Sequence, residues 1–342
     1  MKKVKDAVNR AAASTGHKIV RLETWAGLEN RVEDLTQQLE SVSKRLDETA
    51  SQLDEVTTSL EELLGPKALQ RFLDDNPGDI NSESLLIADL LNGLVREALP
   101  KLHESVSWGD RLLTLDKSTG FWADPCFART AGQVIPGQVL DNYGGSDGMA
   151  WRLNTLVWAG RQALALDGDF VECGVFKGDM SWVVAGCLDF QNLDRRFYLY
   201  DTFEGFSPDY SSNEDFPPDS GFYDYATEEY QLPELYSQVK QRFAEYANVE
   251  VIQGVVPDVL DGRRPERIAY LHLDLNSPAA ERGALERLFD SIVPGGLIIF
   301  DDYGWRLFAK QKKAADEFMA AWGLRVLELP TGQGLMVKPP AN

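Results

Sequence analysis

The chain has 342 residues, of which 44% are hydrophobic and 26% charged, which suits one folded core domain with an appended segment. Its formal net charge of -20 disfavours nucleic-acid phosphates and anionic lipids as partners, because both require clustered lysine and arginine. Three widely spaced cysteines, no signal-like N-terminus and no long apolar run predict a cytoplasmic protein with no transmembrane segment.

A heptad pattern of apolar residues occupies residues 28–63 and ends before Gly65-Pro66. It predicts an N-terminal coiled coil, within a first segment of residues 1–65, through which the chain forms a homo-oligomer. One long amphipathic helix packed on the chain's own domain is the alternative, and the number of strands in the coil stays open. The apolar positions are Leu28, Val32, Leu35, Leu39, Val42, Leu46, Leu53, Val56, Leu60 and Leu63.

Residues 66–148 are predicted to connect this segment to the core domain. Residues 66–115 have the pattern of two or three helices, the clearest at Ser84 to Leu99, which Pro100 ends. Residues 120–148 are rich in glycine, proline and aromatic side chains. We expect an irregular, lid-like segment there, covering one edge of the domain.

From residue 149 to the C-terminus, short apolar strands alternate with helices, which predicts an α/β domain with a doubly wound, Rossmann-like parallel sheet. The predicted helices are Met149–Leu166, Met180–Leu188, Leu235–Tyr246, Ala279–Ile292 and Leu307–Trp322. Two further strands around Pro330 predict a terminal antiparallel β-hairpin, typical of the methyltransferase version of this sheet. The predicted parallel strands are Phe170–Cys173, Phe197–Asp201, Val249–Gln253, Ile268–Asp274 and Leu297–Asp301.

The first of these strands leads into a loop, Glu172 to Gly178, whose glycines are four positions apart. The loop lacks the G-x-G-x-x-G spacing that cradles a dinucleotide pyrophosphate. Glu172 can accept a hydrogen bond from a cationic amino group, such as that of S-adenosylmethionine, and Asp201 can accept the ribose hydroxyls. A turn that binds no ligand is the alternative. Further candidate cofactor contacts are Gly174, Val175, Gly178, Thr202, Phe203, Gln253 and Gly254.

Three acidic residues end the fourth and fifth strands at the same sheet edge: Asp274, Asp301 and Asp302. Carboxylates that converge repel one another unless a cation neutralises them, and their hard oxygens suit Mg²⁺. The alternative is that Asp274 and Asp302 each cap the following helix. His272 shares its strand phase with Asp274 and is a candidate catalytic residue, with a buried core histidine as the alternative.

A long insertion follows the second strand, between Phe203 and Leu235, and it contains many acids but no lysine or arginine. Six aromatic residues alternate with these acids, a composition that suits a polyhydroxylated small-molecule or glycan substrate such as a sugar. A solvated, partly helical surface loop is the alternative. The aromatic residues are Tyr210, Phe216, Phe222, Tyr223, Tyr225 and Tyr230.

Together these motifs resemble the macrocin O-methyltransferase family, over roughly Trp151 to Pro339. The resemblance rests on the runs Gly168 to Gly178, Tyr200 to Phe206, and Val293 to Gly296 with Asp301-Asp302-Tyr303. It implies that Mg²⁺ is bound by the three acids Asp274, Asp301 and Asp302, and that Asp274 is also the general base. The sequence departs from the family pattern at Asp274-Leu275-Asn276, where Asp-Gly-Asp is common, and at Asp179, where a small residue is usual.

The sequence thus predicts an S-adenosylmethionine-dependent, Mg²⁺-dependent O-methyltransferase acting on a hydroxyl of a sugar, of a glycosylated natural product or of a glycan. Two alternatives remain open. One is an oxidoreductase with a nucleotide cofactor on a similar sheet, which the missing third glycine disfavours. The other is an inactive scaffold protein whose coiled coil carries the function.

Overall fold

The computed structural model describes residues 99–101, 103–138, 147–218 and 220–340, and before them residues 32–45 with the isolated positions 3, 6, 10, 30, 47 and 51. Contacts divide the chain into two compact units, the first within residues 1–102 and the second containing His103–Asn342. Each unit is described by itself. No helix among the described residues is both long and apolar enough to cross a membrane.

In the first unit, residues 32–45 are helical, in agreement with the predicted helix. The four heptad positions within this range are exposed: Val32, Leu35, Leu39 and Val42. Most of the remaining heptad stretch lies outside the described residues. The predicted coiled coil and its oligomer therefore stay predictions.

The second unit begins with a β-hairpin where the sequence predicts helices. Strands β1 (Val106–Gly109) and β2 (Leu112–Leu115) pair antiparallel. The two residues of the turn, Asp110 and Arg111, both have positive φ angles, of 48° and 55°. Such left-handed angles are uncommon for residues other than glycine, although they fit the tight turn of a two-residue hairpin.

Helix α1 (Pro125–Gln138) lies where the sequence predicts an irregular segment, so that prediction is wrong over this range. The Asp124 side chain accepts hydrogen bonds from the backbone N–H groups of Cys126 (2.8 Å) and Phe127 (3.3 Å). Proline at the first helical position is favourable because its missing N–H would have no partner there. Asp124-Pro125 is therefore a helix start that the sequence analysis overlooked.

The central sheet is the doubly wound one that the sequence predicts. Its strands among the described residues are β3 (Asp169–Cys173), β4 (Phe197–Asp201), β5 (Val249–Gln253), β6 (Ile268–Leu273), β7 (Ile292–Phe300), β8 (Leu327–Glu328) and β9 (Gly334–Val337). They run in the order β5-β4-β3-β6-β7-β9-β8, and those from β5 to β7 are parallel. Strands β8 and β9 add the predicted antiparallel hairpin.

Helices cover both faces of this sheet. Successive strand residues point to opposite faces, and Phe170 and Val171 accordingly belong to two different clusters of buried side chains. The helices after α1 are α2 (Asp147–Ala163), α3 (Asp179–Cys187), α4 (Phe222–Glu229), α5 (Leu235–Arg242), α6 (Pro278–Leu288) and α7 (Ala309–Ala321). Residues of α1, α2, α3 and α5 pack in the first cluster, and residues of α6 and α7 pack in the second.

Candidate active site

A cavity of roughly 740 Å³ opens at the carboxyl edge of the parallel strands. Gly174 follows β3, Asp201 ends β4, Asp274 follows β6 and Asp301 follows β7, and all four line this cavity. Parallel strands end at a common edge, which is where sheets of this kind bind their ligands. The fold therefore brings together polar residues that lie far apart in the sequence.

The loop after β3 requires glycine at its first position. Gly174 has a φ angle of +86°, and a Cβ atom built on it would lie only 1.8 Å from the backbone oxygen of Asp274. Any side chain would therefore push the ends of β3 and β6 apart. Gly178, at the other end of the loop, has a φ angle of +76° and directly precedes helix α3.

The Asp201 carboxylate holds this loop against the end of β4. Its Oδ2 atom accepts hydrogen bonds from the backbone N–H groups of Val175 (2.6 Å) and Phe176 (2.9 Å). Its Oδ1 atom accepts a third bond, from the N–H of Phe203 (2.5 Å). A carboxylate has about four acceptor sites, so Oδ1 can still accept another donor, whereas Oδ2 already accepts two. Asp201 therefore fixes the shape of the loop and, because it lines the cavity, remains available to a ligand.

Of the other predicted cofactor contacts, only Gly174 and Thr202 line the cavity in the described part of the chain. Two more form hydrogen bonds to the backbone at the end of β4. The Nε2 atom of Gln253 donates to the carbonyl oxygen of Thr202 (3.1 Å), and the N–H of Gly254 donates to that of Asp201 (2.9 Å). The predicted contacts outside the lining are Glu172, Val175, Gly178, Phe203, Gln253 and Gly254.

Glu172 and His272 form a buried charged chain with Asp301 across β3, β6 and the end of β7. The Nδ1 atom of His272 donates to Oε1 of Glu172 (2.8 Å), and its Nε2 atom lies 3.4 Å from Oδ1 of Asp301. Burial alone would lower the pKa of His272, but the two carboxylates raise it to about 10. The imidazole is therefore protonated at neutral pH.

The structure places Glu172 and His272 differently from the sequence prediction. Glu172 is 1% exposed and bonded to His272, whereas the sequence predicts that it meets a cofactor amino group. His272 is likewise 1% exposed and does not line the cavity, whereas the sequence offers it as a catalytic residue. Both side chains instead act on the site indirectly, through Asp301.

The acids Asp274, Asp301 and Asp302 meet as predicted, with one oxygen from each carboxylate lying within 4.8 Å of the others. Burial and the charges of its two acidic neighbours raise the pKa of Asp274 well above its usual value. Burial raises that of Asp302 to about 7, with a contribution from Asp301. Burial would raise the pKa of Asp301 too, but Arg152 and His272 outweigh it and hold that pKa below its usual range.

Arg152, on helix α2, is a member of this cluster that the sequence analysis missed. Its Nη2 atom donates to Oδ2 of Asp301 and to Oδ1 of Asp302 (3.0 Å), and its Nη1 atom donates to Oδ2 of Asp110 (3.3 Å). The arginine is only 7% exposed although it is charged. The signal that could have identified it is a lone arginine on the apolar face of a helix, because a buried cation needs an anionic partner.

Gln333, next to β9, is a second residue that the sequence analysis missed. Its Nε2 atom donates to Oδ1 of Asp301 at 2.9 Å, and its side chain is buried. Oδ1 of Asp301 is thus held by Gln333 and faces His272, whereas Oδ2 contacts Arg152. Both oxygens of this carboxylate have defined partners.

The cluster has the donor set of a Mg²⁺ site. Three carboxylates offer hard oxygens within reach of one ion, and two of the three have pKa values raised by burial and, in addition, by the nearby like charges. A bound divalent cation would relieve that repulsion. The residues present therefore fit the ion that the sequence predicts, although Arg152 contacts two of the same carboxylates.

Aromatic side chains of the insertion after β4 form one wall of the cavity. They come from the loop, from helix α4 and from the residue that follows it: Phe206, Tyr210, Phe222, Tyr225 and Tyr230. Of the acidic residues in the described part of this insertion, only Glu229 lines the cavity; Asp219 lies outside the described residues. The insertion therefore presents mainly aromatic surface to a ligand, with Trp305 and Phe308 nearby.

Similar proteins are found among solved structures and curated sequences. The O-methyltransferase NovP matches 65% of this chain and 100% of its own, with a TM-score of 0.50 and 19% identity, which shows the same fold. Mycinamicin III 3''-O-methyltransferase of Micromonospora griseorubida is 30% identical over 161 residues, 44% of this chain and 62% of that protein.

A second curated relative comes from Streptomyces olivaceus, 8-demethyl-8-(2,3-dimethoxy-alpha-L-rhamnosyl)-tetracenomycin-C 4'-O-methyltransferase. It is 30% identical over 167 residues, 44% of this chain and 60% of that protein. The chain thus spans less than two thirds of the length of either curated relative.

The model of one protein family, described as macrocin O-methyltransferase (TylF), matches residues 150–326. This range covers more than half of the 342 residues. It includes Arg152, the loop after β3, Asp201 and the three acids of the cluster. The resemblance stated from the sequence motifs is confirmed, and the chain belongs to the macrocin O-methyltransferase (TylF) family.

Proposed function

We propose that this chain transfers a methyl group from S-adenosylmethionine to a hydroxyl of a sugar, on a glycosylated natural product or a glycan. One observation carries the proposal: a single cavity is lined by the glycine loop with Asp201, by the three acids and by an aromatic wall. The glycine loop with Asp201 would bind the nucleoside of the cofactor, the three acids would activate a hydroxyl, and the aromatic side chains suit a sugar ring. The names of both curated relatives, which are O-methyltransferases, support the same class of reaction.

The cofactor end of the cavity is proposed to lie at β3 and β4. Gly174 leaves room for close approach, and Asp201 can accept hydroxyl hydrogen bonds from a ribose while it holds the loop. Glu172 is not assigned to the cofactor, because its carboxylate is bonded to His272.

At the acceptor end, the reaction needs a hydroxyl to lose its proton as the methyl group arrives. Asp274 lines the cavity within reach of the other two acids, so we assign its carboxylate the role of general base. Asp274, Asp301 and Asp302 would hold Mg²⁺, which would lower the pKa of a hydroxyl bound to it. His272 and Gln333 position Asp301.

The test has a binding arm and a transfer arm. We expect calorimetric titration to detect S-adenosylmethionine but not NAD, and labelled methyl to reach a glycoside but not its sugar-free core. Asp201→Ala should weaken cofactor binding by about tenfold or more, because the variant leaves three N–H groups of the loop and strand end without their charged acceptor. Asp209→Ala, which removes an acid outside the cavity lining, is the control. Binding of NAD in place of S-adenosylmethionine would contradict the proposal.

For the N-terminal region, we propose that residues 1–65 assemble the chain through a coiled coil, with residues 66–148 leading into the methyltransferase domain at 149–342. The exposed apolar side chains of residues 32–45 support it, because they would otherwise remain in water. Leu35→Asp combined with Leu39→Asp should lower the molar mass measured by light scattering. Gln38→Asp, at a position between them outside the heptad stripe, should not. An unchanged mass for the double variant would mean that the helix packs on its own chain.

A further inference from the structure

We propose that Arg152 occupies the acid cluster as a built-in counter-ion and that a divalent cation binds there only by displacing its guanidinium from Asp301 and Asp302. The inference rests on the proposed metal site, and it adds that a side chain of the same protein competes with the metal for these carboxylates. It makes Arg152 a positioning residue that sets how tightly the cluster holds metal.

The contacts of Arg152 support the first step. A single nitrogen, Nη2, donates to both Asp301 and Asp302, so it lies where these two negative charges are closest. Hydrogen bonds between an ionised donor and an ionised acceptor are stronger than neutral ones, particularly when they are buried. Arg152 therefore offsets part of the negative charge of the cluster when no metal is bound.

The two oxygens of the Asp301 carboxylate bring Arg152 and a metal ion into competition. Its Oδ1 atom accepts from Gln333 and lies 3.4 Å from Nε2 of the buried His272, so Oδ2 is the more accessible oxygen for a ligand in the cavity. Oδ2 is the atom that Arg152 contacts. A metal that binds this oxygen would bring a second positive charge next to the buried guanidinium, and the repulsion between the two cations favours displacement of the arginine.

The β1–β2 hairpin offers the displaced guanidinium another partner. Nη1 of Arg152 already donates to Asp110 at 3.3 Å, and the guanidinium lies 5.9 Å from the centre of the Trp305 ring. An aromatic face and a carboxylate both stabilise an arginine that has left other partners. In addition, the buried Nε atom of Arg152 has no hydrogen bond among the described residues. The arginine is therefore incompletely satisfied where it lies.

The hairpin turn fixes the position of Asp110 beside Arg152. Asp110 and Arg111 both have the positive φ angles that a two-residue hairpin turn requires. The Asp110 carboxylate lies within hydrogen-bond distance of Nη1 of Arg152, at 3.3 Å. The turn therefore holds a partner for the guanidinium outside the acid cluster.

The test measures binding of Mn²⁺, added alone to the full chain, from the loss of the free-ion signal in electron paramagnetic resonance. We expect Arg152→Gln to bind Mn²⁺ at least about tenfold more tightly than the wild type, since a buried competitor is gone. The matched control is Arg111→Gln, which also removes one positive charge beside the Trp305 ring, 5.4 Å from its centre. We expect its affinity to stay within about twofold of the wild type, since exposed charges are screened.

A second variant tests whether metal affinity depends on the contacts of the guanidinium or only on its positive charge. It also keeps the inference testable if Arg152→Gln does not fold. Arg152→Lys keeps the positive charge, but a single ammonium cannot reach Asp110 and both acids of the cluster at once. We expect its Mn²⁺ affinity to rise by several-fold. Equal or weaker binding in this variant would overturn the inference, as would equal gains in Arg111→Gln and Arg152→Gln. If neither the wild type nor any variant bound Mn²⁺, the metal part of the proposed function would fail as well.

Discussion

Asp274→Ala is expected to lower the rate of methyl transfer by about a thousandfold, equivalent to about 4 kcal/mol of transition-state stabilisation. The substitution removes the proposed base and one of three carboxylates from the cluster. Binding of S-adenosylmethionine should largely survive, because Asp274 is not part of the Asp201 network that holds the loop. The measurement is initial rate on a glycoside acceptor, with cofactor affinity determined by calorimetry on the same sample.

Two comparisons make this result specific. Asp290→Ala removes an exposed acid that does not line the cavity, and it should retain full activity. Asp301→Ala should lose activity to a similar extent as Asp274→Ala. A chelator should also abolish wild-type activity, and added Mg²⁺ should restore it. Full activity in chelator would mean that the acids serve the fold and that transfer is independent of metal.

Gly174→Ala is expected to lower the free energy of unfolding by about 3 kcal/mol or more, the range that overpacking and a left-handed alanine produce together. The added Cβ atom would lie 1.8 Å from the backbone oxygen of Asp274, at a φ angle of +86°. Because the neighbour is backbone, it cannot rotate away as a side chain would. Urea denaturation of both proteins gives the difference from their midpoints and slopes.

Gly132→Ala is the matched control for this substitution. Gly132 lies in helix α1, and a Cβ atom there would meet nothing within 4 Å. Alanine is favoured over glycine inside a helix, so this variant should be more stable by about 0.5–1 kcal/mol. If Gly174→Ala were as stable as the wild type, the ends of β3 and β6 would not approach each other as described.

The parallel strands were predictable from the sequence because each is a short apolar run beside a turn. The predictions for β4 (Phe197–Asp201) and β5 (Val249–Gln253) agree with the structure at both ends. Strand β7 begins earlier than predicted, at Ile292, which pairs with Ile268, and its regular pairing with β6 resumes only at Leu297. Glycine and proline normally indicate a turn, and Gly295 does have a left-handed φ angle of 84°, so this stretch is an irregularity within the strand.

The hairpin β1–β2 could not be predicted in the same way. Its turn, Asp110-Arg111, lacks the Asn-Gly or Asp-Gly pair that announces a two-residue hairpin. Its strands have four residues each, too few for a clear alternation of apolar and polar side chains. Consequently Asp110 was not a candidate for the site.

The acids of the site were predictable and their partners were not. Asp274, Asp301 and Asp302 end strands whose carboxyl ends share one edge, so the order of elements alone brings them together. Arg152 reaches them from a helix that precedes the whole sheet, a relation that only the tertiary packing creates. For Glu172, the sequence could not show that His272 lies opposite on the neighbouring strand and takes its carboxylate.

The buried chain of Glu172, His272 and Asp301 also limits how this sheet can evolve. Its members stand on three adjacent strands, and each offsets the charge of the next. Replacing one by an apolar residue leaves a buried charge without its partner, which is far more destabilising than replacing the whole set. Mutation should therefore change these three positions as a group or leave them alone, whereas a cavity-lining residue of the aromatic insertion can change without leaving a buried charge unpaired. Changes in acceptor preference can in this way occur while this sheet edge stays the same.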